Sequence, residues 1–110
     1  MSNKFSFENL DRTEYAVGGS KRGEIWASFA DLRDLLGEPA FEGKGDKITT
    51  EFVVKWTDNS NEDTGTFALY DWHYARNFGN DYEVIQWNIG GHTFNDVLAV
   101  DALLEKKDVA

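Results

Sequence analysis

Alternating apolar and polar positions are the strongest pattern in the chain, and they predict a β-sheet. Apolar residues recur at every second position in three runs, which cover 48–56, 66–72 and 82–89. This period is typical of a strand with one buried face. Polar connections of hairpin length separate the runs, so the three strands are expected to pair antiparallel. Two weaker candidates precede them: a short strand at 14–17, and a loose arm or edge strand within 1–12.

Two other stretches have helical periodicity and begin with capping signals. Residues 28–36 start with Ser28 and Asp31, a spacing at which the hydroxyl and the carboxylate each accept the other residue's backbone N–H. Gly37 is expected to end this helix as a left-handed C-cap. Thr93 and Asp96 repeat the capping pattern before the apolar stripe of a closing helix.

These elements predict an α+β fold for residues 1–110 as a single domain. The expected architecture is a three- or four-stranded antiparallel meander, packed on one face by two helices. The chain has 110 residues, which suits one core. Residues 20–23, Ser-Lys-Arg-Gly, are interpreted as a basic turn between elements.

The charge balance narrows the classes of partner. The chain has 20 Asp and Glu against 11 Lys and Arg, for a net charge of -9. Phosphate binding needs clustered cations, so direct binding to nucleic acid is not expected, whereas a partner with a basic surface is. The alternative is that the charge only keeps the protein soluble. No stretch approaches the roughly 18 apolar residues of a membrane span, and cysteine is absent, so a cytoplasmic protein is expected.

Residues suited to catalysis or metal binding are few. The only histidines are His73 and His92, and the predicted strand order places them at different ends of the sheet. No metal or cofactor is predicted, because the histidine and acidic residues lack the spacing of known metal motifs. A small enzyme that uses either histidine as a general base remains an alternative.

Aromatic residues make up 15% of the chain, and some are expected on a recognition surface. In the second strand, Tyr70 and Trp72 share one face, while Phe67 and Leu69 share the other. If Tyr70 and Trp72 point away from the helices, they form a platform for a base or an anchor for a protein. In the other arrangement they cover the core, and Phe67 and Leu69 contact a second subunit in a homo-oligomer.

Acidic residues gather in the two hairpin loops. Asp58, Glu62 and Asp63 lie in the first loop and are predicted, with Tyr70 and Trp72, to bind a partner. A second group, Asp71, Asp81 and Glu83, surrounds the second loop. The alternative for both groups is an ordinary solvated hairpin.

The segment Gly90-Gly91-His92 precedes the closing helix and has two interpretations. Backbone N–H groups at a helix start can hold a phosphate or carboxylate, so these residues are a candidate ligand-binding site, for example for a nucleotide. The favoured alternative is a glycine corner that requires positive φ and lets the helix fold back onto the sheet.

Two motifs carry a resemblance to a family. The sequence ALYDW at 68–72, followed by QWNIGGH at 86–92, resembles small bacteriophage accessory proteins that have a Tyr-Asp-aromatic segment before Trp-x-Ile-Gly-Gly-His. The similarity covers about residues 24–105, and the 58–63 loop departs from it by being longer. The resemblance implies a viral protein in the cytoplasm of an infected bacterium, without established catalytic residues.

Three functions follow from these observations. The first is a non-catalytic inhibitor that binds a partner through an acidic and aromatic surface; the resemblance implies that this partner is a host factor, such as a CRISPR nuclease or another defence component. The second is a small-ligand binder that sequesters a nucleotide immune signal. The third is the histidine-dependent enzyme.

Overall fold

The computed structural model describes residues 5–10, 20–43, 49–72 and 75–108, and the protein has an α+β architecture. The predicted strand at 14–17 and the candidate base His73 lie outside the described residues. The elements, in chain order, are β1 (Phe5–Leu10), β2 (Ser20–Ser28), α1 (Phe29–Leu36), β3 (Phe41–Glu42), β4 (Thr50–Asp58), β5 (Asp63–Asp71), β6 (Val84–Gly91) and α2 (Phe94–Asp108).

The strands form a six-stranded sheet in which the order is β1-β4-β5-β6-β2, and β3 also pairs with β4. Every pairing is antiparallel. The central β4-β5-β6 meander was predicted correctly, but the predicted count of three or four strands is wrong. The additional strands pair with partners distant in sequence, which a local pattern of alternation does not reveal.

The predicted basic turn at 20–23 is also wrong, because these residues begin β2. Lys21 is opposite Gly90, and Gly23 is opposite Ile89, with a bulge between Lys21 and Gly23. A bulge adds one residue to a strand without ending the pairing. The mixture of cations and glycine that resembled a turn is therefore an irregular strand.

Helix α1 follows the prediction closely. The Ser28 hydroxyl accepts a hydrogen bond from the Asp31 backbone N–H at 3.1 Å, which is the expected cap. Gly37 has a φ of 91°, and its N–H donates to the Arg33 carbonyl at 2.8 Å. Glycine fits this position because residues with a Cβ rarely adopt positive φ.

Both helices lie on one face of the sheet and share one core with it, as predicted. The inward face of β4 supplies Phe52, Val54 and Trp56, and α1 contributes Leu32 and Leu36 to the same cluster. The remaining buried members are Ile25, Ala27, Phe29, Phe67, Leu69, Ile85, Trp87, Ile89, Ala99, Val100 and Leu103. The opposite face of the sheet carries the alternate side chains of the same strands, among them the buried Val53, Ala68 and Asn88. We call it the open face because neither described helix packs on it.

Candidate functional site

Tyr70 and Trp72 lie on the open face, away from the helices. Phe67 and Leu69, their alternating neighbours, are fully buried in the core. The alternative in which Phe67 and Leu69 contact a second subunit is therefore wrong. The rings of Tyr70 and Trp72 meet edge to face with centroids 6.1 Å apart, and Trp72 is 43% exposed. This pair is an aromatic surface of the kind that anchors protein partners.

A second exposed tryptophan, Trp26, extends this surface across the sheet. It lies on β2 opposite Gln86 of β6 and is 64% exposed. The alternation of β2 explains its position, since Ile25 and Ala27 on either side of it are buried. Sequence reasoning did not single out Trp26, although the run Ile25-Trp26-Ala27 carries the signal of a half-buried strand.

Carboxylates border the aromatic surface. Tyr70 is flanked along one cross-strand row by Glu51 of β4 and by Asn88 of β6, which in turn lies opposite Glu24 of β2. Glu24 forms a surface ion pair with Lys21 at 2.9 Å. The exposed Glu83 precedes β6 at the same end of the sheet. Carboxylates therefore lie near the aromatic pair, and of these only Glu83 belongs to the acidic groups singled out in the sequence; Glu24 and Glu51 do not.

The predicted acidic residues of the first hairpin lie at the other end of β5. Asp63 begins that strand and Trp72 follows its last residue, so the two ends are separated by about 27 Å at roughly 3.3 Å per residue. Glu62 and Asp63 are exposed. The fold therefore does not bring the hairpin acids together with Tyr70 and Trp72.

Asp58 differs from the two exposed hairpin acids because it builds the turn. It is buried, and its Oδ1 accepts hydrogen bonds from the Ser60 N–H at 2.9 Å and the Ser60 hydroxyl at 2.6 Å. The Asp58 carbonyl accepts from the Glu62 N–H at 2.7 Å. A carboxylate held in this way supports the hairpin and offers little surface to a partner.

The three residues of the second acidic group differ in burial: Asp71 is buried, Asp81 is half-buried and Glu83 is exposed. Asp71 is fully buried, and its carboxylate accepts from the N–H of Thr49 at 2.7 Å, of Thr50 at 2.9 Å and of Arg76 at 3.2 Å. The Thr49 hydroxyl also donates to Asp71, at 2.7 Å. Because these donors come from the start of β4 and from the loop after β5, Asp71 holds these two segments together. Of this group, only Glu83 is exposed.

Arg76 is the cation of this internal network. Its buried guanidinium pairs with Glu42 and, at 3.2 Å, with Asp81. The same group lies 3.5 Å from the ring centroid of Phe29 and 4.1 Å from that of Phe78. Stacking and ion pairing together fix the loop that precedes β6. This fixed loop supports the end of the sheet where Trp72 lies.

Gly90 and Gly91 belong to strand β6, so the predicted glycine corner is wrong. Neither residue has positive φ. A Cβ on Gly91 would lie 2.9 Å from the Asp96 side chain, and a Cβ on Gly90 would lie 3.4 Å from the Tyr70 ring. Glycine is needed at Gly91 for close packing, and the chain turns only at His92 and Thr93.

The anion-binding site predicted at Gly90-Gly91-His92 is occupied by the side-chain carboxylate of Asp96. Asp96 Oδ2 accepts from the backbone N–H groups of His92 at 2.7 Å and Thr93 at 3.0 Å. Its Oδ1 accepts from the indole N–H of Trp56 at 2.7 Å. The donors that would bind a phosphate are therefore already used. Asp96 was predicted to cap the helix, and its bond to the Thr93 N–H confirms that part.

His92 is exposed and lines a surface cleft of about 260 Å³. Asp63, Thr64 and Asn95 are among the other lining residues. The backbone carbonyl of His92 accepts from Arg22 at 2.9 Å. In the part of the chain that the structure describes, no three His, Cys, Asp or Glu residues are grouped as a metal site would require.

No family model, curated protein or solved structure matches the chain. Within the described ranges, no helix has the length and apolar character needed to cross a membrane.

Proposed function

We propose that the chain is a non-catalytic binding protein that attaches to a basic surface on a partner protein through its open face. The observation that carries the proposal is the position of Tyr70 and Trp72 on the helix-free face, with Phe67 and Leu69 wholly in the core. Exposed tryptophan and tyrosine are enriched among the residues that dominate protein interfaces. The net charge of -9 favours a basic partner.

The resemblance to bacteriophage accessory proteins supports a more specific form of the proposal. In that form the partner is a bacterial defence component, and binding in the cytoplasm of the infected cell inhibits it. Binding of a host protein is favoured over nucleotide sequestration, because the Asp96 carboxylate already accepts the backbone N–H groups of His92 and Thr93 that a nucleotide phosphate would need. The proposed mechanism is steric: the bound chain covers the partner's basic surface.

Affinity capture from bacterial lysate, with identification by mass spectrometry, tests the proposal. The wild-type chain is compared with Trp72→Ser, and Phe94→Ser is the matched control because Phe94 is an exposed aromatic residue on α2. We expect a basic protein to be retained by the wild type and by Phe94→Ser, and to be lost with Trp72→Ser. Equal retention by all three chains would contradict binding through the open face.

The captured partner also permits a test of inhibition. Its own activity is measured with increasing amounts of the wild-type chain and of Trp72→Ser. Steric inhibition predicts a stoichiometric loss of activity with the wild type only. Consumption of a substrate by the chain itself would instead support the enzyme alternative.

A further inference from the structure

Strand β5 extends beyond the end of its neighbour β6, which leaves part of its edge without a partner strand. The last pair between the two strands is Ala68 opposite Gly90. Residues 63–67 of β5 come before that pair, and none of the described strands lies beside them on this side. β6 itself ends one residue later, at Gly91. The first half of β5 therefore has one paired edge, toward β4, and one open edge.

The backbone groups that point to the open edge follow from a hydrogen bond on the far side of β4. The Glu51 carbonyl accepts from the Ala40 N–H at 2.8 Å, so the backbone groups of Glu51 point away from β5. Glu51 is opposite Tyr70, and two directly opposite residues of an antiparallel pair either exchange hydrogen bonds or both point away. The N–H and C=O of Tyr70 therefore point toward β6. Because the direction repeats every second residue, those of Thr66 and Thr64 point the same way.

The open edge forms one side of the surface cleft of about 260 Å³. Thr64 and Thr66 both line this cleft, together with His92. Continuation of the strand pairing would place His92 opposite Thr66, but the His92 N–H donates to the Asp96 carboxylate at 2.7 Å instead. The backbone groups of Thr64 and Thr66 thus face the space that a further strand would fill. An edge of this kind is a template for pairing with another chain.

The charge around the cleft favours a cationic occupant. Asp63 and Asp96 are among its lining residues, whereas no lysine or arginine is among those described. Asp63 is exposed, so its charge acts at the mouth of the cleft. Arg22 lies close by, where its guanidinium donates to the backbone carbonyl of His92 at 2.9 Å, but it does not line the cleft. A basic segment is therefore attracted to this edge and an acidic one is repelled.

We propose that the cleft binds an extended, basic segment of a partner protein, which pairs with Thr64 and Thr66 as an added strand. The segment runs antiparallel to β5 and continues the line of β6. The edge from Asp63 to Thr66 is about 10 Å long at roughly 3.3 Å per residue, which suits a segment of about four residues. Backbone hydrogen bonds supply the affinity in this mode of recognition, and side chains supply the specificity. The inference does not rest on the proposed function, because Tyr70 and Trp72 take no part in it.

The test is an NMR titration of the ¹⁵N-labelled chain, followed through its backbone amide signals. The probe is the blocked peptide acetyl-Lys-Val-Lys-Val-amide, because valine favours an extended chain. We expect the amide signals of Thr64 and Thr66 to shift with saturation, since both N–H groups gain an acceptor. The indole signal of Trp26, on the open face, is expected to stay in place. Shifts at Trp26 without shifts at Thr64 and Thr66 would overturn the inference.

Methylated peptides test whether the contact is a strand pairing. Only every second N–H of an added strand points to its neighbour, so the probe is N-methylated either at its first and third residues or at its second and fourth. One methylated peptide is expected to bind at least tenfold more weakly and the other to bind like the parent. Any other pattern overturns the strand pairing. Equal binding of acetyl-Glu-Val-Glu-Val-amide would overturn the preference for a cation.

Substitution of Thr66 tests the same contact from the side of the protein. Thr66→Pro removes the N–H that points to the cleft and leaves the hydrogen bonds to β4 intact, as proline does on an edge. It is expected to weaken binding of the lysine peptide at least tenfold. The matched control Thr66→Val keeps the N–H and the shape of the side chain, and should bind as the wild type does. Equal binding by both variants would overturn the inference, and the methylated peptides decide it if Thr66→Pro does not fold.

Two further results separate this site from other possibilities. If the Thr64 and Thr66 signals move on dilution of the chain without peptide, the edge pairs with a second copy of the chain, and the partner segment proposed here is wrong. If the peptide binds this edge but partner capture is the same for the wild type and Trp72→Ser, the cleft stands and the open-face function is wrong. If capture depends on Trp72 and the peptide does not bind, the reverse holds.

Discussion

At the scale of single residues, the two adjacent glycines of β6 have different roles, which substitution can separate. A Cβ on Gly91 would lie 2.9 Å from the Cβ and Oδ2 of Asp96, and hydrogen bonds hold that side chain in place. We therefore expect Gly91→Ala to lower the free energy of unfolding by about 2 kcal/mol, as overpacking does. The nearest atom to a Cβ on Gly90 is 3.4 Å away. Gly90→Ala is therefore expected to change the free energy of unfolding by less than about 0.5 kcal/mol. Urea denaturation monitored by fluorescence measures both.

A double-mutant cycle with Asp96→Gly serves as the control for this explanation. Asp96→Gly alone should cost about 3 kcal/mol, because the N–H groups of Trp56, His92 and Thr93 lose their acceptor. In the Asp96→Gly protein the added Cβ of Gly91→Ala has room, so Gly91→Ala should no longer lower the free energy of unfolding. If Gly91→Ala costs the same in both backgrounds, the requirement for glycine comes from the backbone and not from Asp96.

At the scale of elements, Asp71 ties the end of β5 to the start of β4 and to the loop that follows. Its carboxylate accepts backbone N–H groups from Thr49, Thr50 and Arg76 in a fully buried position. Asp71→Asn keeps the shape but presents an amide NH₂ to donors, so we expect a loss of about 3 kcal/mol of stability. Asp63→Asn, at the exposed other end of β5, should change stability by less than about 0.5 kcal/mol.

Hydrogen exchange locates the effect of Asp71→Asn. Protection is expected to fall first at Thr49, Thr50 and Arg76, because their N–H groups lose a charged acceptor. A uniform fall over the whole sheet, with these three positions no different from the rest, would contradict the local role of Asp71.

The elements that could be predicted are those whose signals are local in sequence. Helix α1 was recognised from Ser28 and Gly37, and the inward face of β4 from its alternation. The pairing of β2 with β6 could not be predicted, because the two strands are distant in sequence and Lys21 to Gly23 resemble a turn. For the same reason Trp26 was missed as a site residue. The capping role of Asp96 was local and was predicted, whereas its bond to Trp56, a residue of another element, was not.

At the scale of the whole molecule, the exposed acids of the β4–β5 hairpin lie too far from Trp72 for one side chain of a partner to touch both. An interface of about 800 Å² per partner is about 30 Å across, so a single partner can still cover both ends of β5. At the rim of such an interface, Glu62 and Asp63 would act mainly through long-range attraction of a basic surface. Glu62 and Asp63 should therefore change mainly the association rate, whereas the aromatic residues should change mainly the dissociation rate.

The double charge reversal Glu62→Lys with Asp63→Lys tests this division of roles. For the partner isolated with the wild-type chain, we expect the association rate at low salt to fall about tenfold, and the difference to shrink as salt screens the charges. Trp72→Ser should act mainly on the dissociation rate. The control is Asp101→Lys with Glu105→Lys, which changes the net charge equally at exposed positions on α2. If the control slows association as much as the hairpin reversal does, net charge and not the position of the hairpin acids steers the encounter.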